Sequence, residues 1–181
     1  MKRVLSVLAS LVLFVGLGLT TPLAAEAAPY CGIGWGSLPA SRAGTSSAHL
    51  DDLRTGRHDC YDRLVIDLDH SVTGYSVAYV NAVHRPGSGS TVHLAGSADL
   101  EIVVNAPAYD NSGRPTYDPA SANTAVDVDG YRTFEQVALA GSFEGSTTIG
   151  MGVRARLPMR AFVLDGPGNG SRIVVDVAHR W

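Results

Sequence analysis

Lysine is nearly absent: Lys2 is the only one in 181 residues, so almost every permanent cation is an arginine. Acidic residues outnumber Lys and Arg by 17 to 14, and no basic run stands out. A nucleic-acid binder needs a concentrated positive surface, so the composition argues against that class. Arginine suits bidentate recognition of carboxylate or phosphate. The coding bias of a GC-rich genome accounts for the same counts and is the simpler reading. Also missing are a G-x-S-x-G elbow, an H-E-x-x-H helix and a P-loop. The six histidines (His49, His58, His70, His84, His93 and His179) are scattered. His84 and His93 flank a loop but have no evident third ligand. Asp127-Val-Asp129-Gly130 lacks the remaining ligands of a calcium loop and reads as a turn. No catalytic residue, metal site or cofactor is assigned. There is no amphipathic helix of a dozen residues, and after the N-terminal region no apolar run is long enough to span a bilayer.

The N-terminal region has the order of a secretory signal peptide. Cationic Met1-Lys2-Arg3 precedes an apolar run from Val4 to Leu19 and small residues from Thr20 to Ala28. Ala25-Glu26-Ala27 is the cleavage signal, which makes residues 1–27 the signal peptide and Ala28 the mature N-terminus. A retained membrane anchor is the alternative, but Gly16, Gly18 and Pro22 interrupt it. A lipobox before Cys31 is a poorer fit still. Removing Lys2, Arg3 and Glu26 changes the formal charge from −3 to −4. The remaining length suits one domain, expected to be a secreted monomer with no membrane span. Cys31 and Cys60 both lie in the exported part, where two cysteines in one small domain pair. Metal binding by the pair is the weaker alternative, because the spacing is far from C-x-x-C.

Two segments are near copies: Asp62-Arg-Leu-Val-Ile-Asp-Leu68 and Ser171-Arg-Ile-Val-Val-Asp-Val177. In each, aliphatic residues alternate with Arg, Val and Asp, which is the period of a half-buried strand. Set antiparallel, the copies match Arg63 to Asp176, Val65 to Val174 and Asp67 to Arg172. The aliphatic rows Leu64, Ile66, Leu68 and Ile173, Val175, Val177 are then expected to be buried together. Further strand patterns run over 75–83, 91–95, 100–104, 134–143, 146–154 and 160–164. Arg85–Ser90 and Gly166–Gly170 read as loops. A long irregular segment fills 105–130. Residues 28–60 read as a disulfide-tied arm, with a short helical turn at Ser47–Leu53, and residues 61–181 as the β domain. The class is all-β: a two-layer sandwich of about eight strands with internal pseudo-symmetry, or alternatively a partly open barrel.

At the repeated hexamers the chain resembles the AMIN-like domains of secreted and lipid-anchored Gram-positive envelope proteins. The residues that carry the likeness are Cys60–Leu68, Gly74–Val77 with Tyr79-Val80, Pro107–Asp110, Phe143–Gly145 and Ser171–Trp181. The resemblance implies a β-sandwich and a non-catalytic module that directs its host to the cell wall through peptidoglycan. The pattern differs in the wider separation of the two hexamers and in the lack of a following enzyme domain.

Three groups of residues are candidates for binding. Arg63, Asp67, Arg172 and Asp176 read first as cross-strand ion pairs that fix register, and otherwise as an anion site. Tyr109, Arg114 and Tyr117 lie in the long loop with other polar residues. Since aromatics make up only 7% of the chain, such a grouping is informative. Aromatic faces beside planar polar groups suit a pyranose, although the same tyrosines can simply pin the loop. Arg154 and Arg156 share a face and suit the carboxylates and phosphates of wall polymers, or a plain solvated strand end. The expected partner is cell-wall glycan. The alternative is an envelope protein, with this chain acting as an inhibitor or accessory subunit.

Overall fold

A computed structural model describes residues 28–72 and 74–181. The expected signal peptide, residues 1–27, lies outside the described residues. After a 3-10 turn at Tyr30–Gly32 come eleven strands: β1 Ala40–Arg42, β2 Leu50–Arg57, β3 Tyr61–Leu68, β4 Tyr75–Val80, β5 Val83–His84, β6 Thr91–Val92, β7 Ala98–Val104, β8 Phe134–Phe143, β9 Ser146–Val153, β10 Met159–Asp165 and β11 Ser171–Ala178. A second 3-10 turn, Ala122–Thr124, interrupts the long loop.

Two antiparallel sheets form the layers of a sandwich. One has the order β1-β4-β7-β9-β8 and the other β10-β11-β3-β2. One core fills the space between them. Leu64, Ile66 and Leu68 meet Ile173, Val175 and Val177 on one side, facing Val77, Ile102, Ile149 and Met151 on the other. All ten are at most 4% exposed, so each side chain contributes about 1.5–3 kcal/mol of burial. The repeated hexamers pair as expected, with Arg63 opposite Asp176, Val65 opposite Val174 and Asp67 opposite Arg172. They are the two central strands of the four-stranded sheet.

The short ribbon β5–β6 lies on the outer face of the five-stranded sheet. Val83 and Val92 pack there against Ala138 and Ala140. Glycines on β9 make room for it, because a Cβ at Gly152 would collide with the Ala95 carbonyl. The β8–β9 hairpin turns through Glu144 and Gly145, at φ 48° and 80°. Two positive φ values are what a two-residue hairpin with the sheet's own twist requires.

The segment Ser47–Leu53 is not a helical turn: Leu50–Arg57 is a strand, paired along β3. Leu50 and Leu53 are three apart, as on a helix face, but a bulge at Asp51 absorbs the extra residue. Both leucines therefore point into the core, at 0% and 4% exposure. The stretch 28–60 thus contributes an edge strand of the sandwich as well as an arm.

Candidate functional site

The arm is fastened at one end of the sandwich, where β3 begins and β9 and β11 end. Cys31 and Cys60 form a disulfide. The Tyr30 hydroxyl donates to the Asp59 carbonyl at 3.4 Å, and the Arg180 guanidinium lies 4.4 Å over the Tyr30 ring. The Met159 amide donates to the Gly36 carbonyl at 2.8 Å. Trp35 stacks 4.2 Å from the Arg160 guanidinium, which also lies 5.0 Å over Phe162. From there the chain crosses to the other sheet as β1.

The repeated Arg/Asp motif divides between two roles. Asp176 is fully buried and accepts from Arg63 Nε at 2.7 Å, Arg63 Nη2 at 2.9 Å and Arg160 Nε at 2.8 Å. The hydrogen bond to Asp176 holds Arg63 firmly in its charged form, against some desolvation. The symmetric pair does not form. Asp67 is instead taken bidentately by Arg54 of β2, at 2.6 and 2.7 Å. Arg172 donates to the Asp165 carbonyl at 2.6 Å, while its Nε is buried without a partner. The two copies are equivalent in register and different in chemistry.

The loop candidates lie at the opposite end. The Tyr109 hydroxyl accepts from the Gly145 amide at 3.3 Å, and Arg114 pairs with Asp110 across a tight turn. Tyr117 packs on the core, and its hydroxyl donates to the Ala125 carbonyl at 3.0 Å. Burial, aided by the charge of Asp52, pushes that hydroxyl up to about 12. Arg154 and Arg156 follow the far end of β9. A strand of eight residues, about 25 Å long, separates them from Gly145. The tyrosine loop and the arginine pair are therefore two surfaces. Arg154 donates to the His179 carbonyl, and Arg156 grips Ser37 through its hydroxyl at 3.1 Å and its carbonyl at 3.0 Å.

An open cleft of about 440 Å³ lies beside Arg156, lined by Tyr79, Asn81, Ser97 and Asp99. The Tyr79 hydroxyl is fixed by both the amide and the carbonyl of Leu157, at 3.0 and 2.9 Å. Burial raises its pKa despite those bonds and the nearby cation. The Arg156 guanidinium covers the Tyr79 ring at 5.2 Å. Among the described residues the side chains of Asn81, Ser97 and Asp99 have no hydrogen-bond partner. Trp181 is held through its Nε1–H to the carbonyl of Arg156 at 3.1 Å, yet is 66% exposed. An amide, a hydroxyl, a carboxylate and a positioned indole form a set that can hydrogen-bond sugar hydroxyls and cover an apolar ring face. Tyr79 lies on β4 and Asn81 just past its end, where the chain leaves the sheet, so the alternation expected over 75–83 stops at Val80. Asp99 joins them only because β7 pairs with β4, setting it opposite Val80.

A second group at this end has no counterpart in the sequence reading. Asp62 and His179 continue the two core-facing rows of β3 and β11, so a polar pair ends the apolar core. Asp62 Oδ2 accepts from the Thr133 amide at 2.6 Å, and Oδ1 faces His179 Nε2 at 3.2 Å. Both residues are buried, and His179 Nδ1 has no partner, which costs about 1–3 kcal/mol for a desolvated polar atom. The palindromic register already sets His179 against Cys60, diagonal to Asp62, and its amide donates to the Cys60 carbonyl at 3.0 Å. At a separation of 117 positions, the pair is visible only once that register is extended.

In comparison with protein families, the AMIN-like domain matches residues 48–179. That span includes β2 and leaves out most of the arm. Neither the curated proteins nor the solved structures include a match.

Proposed function

The chain belongs to the AMIN-like domain family, and from that premise we propose that it is a non-catalytic cell-envelope module that binds wall glycan in the cleft at the disulfide end. The observation that carries this reading is the trio of unpartnered polar side chains, Asn81, Ser97 and Asp99, in one cleft with Arg156, whose carbonyl anchors the exposed Trp181. The disulfide and the family are both consistent with a location outside the cytoplasm. Export would be accompanied by removal of residues 1–27, leaving a monomer with no membrane span. Arg154 and Arg156 supply positive charge near the cleft for the carboxylates or phosphates of wall polymers. Tyr109 and Arg114 offer a second, weaker contact at the far end, where Tyr117 instead pins the loop to the core.

A protein partner is the second reading. Leu38 is 77% exposed and follows Ser37, which Arg156 holds, so two exposed apolar side chains, Leu38 and Trp181, flank one arginine. Sedimentation with purified sacculi separates the readings, because glycan binding survives protease treatment of the sacculi. Trp181→Ala and Asp99→Ala are each expected to weaken glycan binding by about 1–2 kcal/mol. Tyr109→Ala is expected to have a smaller effect. No binding to sacculi at low salt, or binding lost on protease treatment, would give the protein-partner reading its place.

A further inference from the structure

We propose that the cavity between Arg57 and Arg132 is an oxyanion site, built to take a carboxylate or phosphate group over the Asp62–His179 pair. The cavity measures about 320 Å³, and His58, Asp59 and Gly130 complete its wall. It is distinct from the cleft at Arg156, and the inference does not depend on the glycan reading.

Charge at the mouth is the first observation. Arg54, Arg63, Arg114 and Arg160 each have an aspartate partner. Arg57 and Arg132 have none among the described residues. Arg57 lies 5.8 Å over the Tyr131 ring, and Arg132 makes one long contact, 3.5 Å to the Asp59 carbonyl. Both are exposed, so their guanidinium donors are available to a ligand. A planar fork of donors matches the geometry of carboxylate and phosphate oxygens. The turn at Gly130, at φ 76°, has no side chain to obstruct this: a Cβ there would already sit 3.4 Å from Arg57 Nη1.

The floor is the second observation. Asp62 is held by two backbone amides, Thr133 at 2.6 Å and Phe134 at 3.4 Å, and by His179, so its charge is met from within the fold. His179 lines the cavity, is 6% exposed and spends Nε2 on Asp62, so the pair closes the floor with its charge already matched. The one opposing group is the exposed Asp59 carboxylate at the lip, which has no partner among the described residues.

The test is a two-dimensional NMR titration of the purified, disulfide-bonded protein. Inorganic phosphate, acetate and chloride are added in turn at matched ionic strength. Saturable shifts at Gly130, Arg132 and the His179 ring are expected with phosphate or acetate and not with chloride. The tighter of the two identifies the source as phosphate or carboxylate. Arg57→Gln and Arg132→Gln are surface changes and should each weaken binding about tenfold, the effect of one charge-assisted contact. Asp59→Asn should tighten it. A response equal to that of chloride, or an affinity unchanged in both arginine variants, overturns the proposal. So does weaker binding in Asp59→Asn, which would mean that the cavity prefers a cation.

Discussion

Tyr117 has the aromatic ring and loop position of a sugar-stacking residue, yet its hydroxyl is committed to the Ala125 carbonyl and its ring to the core. The fold favours the neutral phenol, because burial and Asp52 raise its pKa to about 12. A group whose folded pKa is raised contributes stability that is fully present below the unfolded value, about 10 for tyrosine. That contribution is lost as pH rises towards 12. Denaturant unfolding from neutral to alkaline pH should therefore show stability falling across that window. Tyr117→Phe should flatten the fall while costing about 1 kcal/mol at neutral pH for the missing hydrogen bond. A fall of the same size in the variant would assign it to other groups. Composition could not say which role Tyr117 plays. A loop rich in Tyr, Asp and Asn looks the same whether its rings face sugar or the sheet.

At the scale of strands, one sequence motif used twice yields two energies. Asp176 is fully buried between Arg63 and Arg160, whereas Asp67 meets Arg54, whose side chain is 53% exposed. Asp176→Asn leaves two guanidiniums short of a partner. It is expected to cost about 3 kcal/mol, the low end for a broken buried pair because both arginines keep some solvent. Asp67→Asn should cost under about 1 kcal/mol. Urea unfolding of the two variants gives the comparison directly, and equal losses would mean that burial does not separate the pairs. The β3–β11 register was legible because the two copies are palindromic in Arg and Asp, so only one antiparallel alignment pairs opposite charges. The partner switch of Asp67 was not legible, because it depends on β2, and the bulge that makes β2 a strand mimics helical spacing in the sequence. The cleft was legible only in part: Tyr79 and Asn81 are close in the chain, but Asp99 needs the pairing of β4 with β7. The Arg57–Arg132 cavity draws on two distant turns, Arg57–Asp59 and Gly130–Arg132, and nothing local in either announces the other.

For the whole molecule, the two ends of the sandwich differ in chemistry. The disulfide end gathers Arg57, Arg63, Arg132, Arg154, Arg156, Arg160 and Arg180, although the chain as a whole is acidic. The far end holds the Tyr109 loop and the β8–β9 hairpin. On the reading proposed above, charge localised in this way would draw anionic polymers to one face without making the whole surface adhesive. The arm belongs to this arrangement, since Trp35 and Ser37 hold Arg160 and Arg156 in place. Its removal and the removal of β2 should have separable effects. Replacing Cys31 and Cys60 with serine opens the loop and should cost about 3–4 kcal/mol while leaving the sandwich folded. A chain beginning at Tyr61 loses β2 as well, and with it Leu50 and Leu53 from the core and the cover for the β3 edge. Burying two leucines is worth roughly 3–6 kcal/mol, a large part of the stability of a domain this size. The shorter chain is therefore expected to show collapsed amide dispersion by NMR and to aggregate through its bare edge. A well-dispersed spectrum from that chain would mean that β2 is a dispensable flank, and that the domain begins at β3.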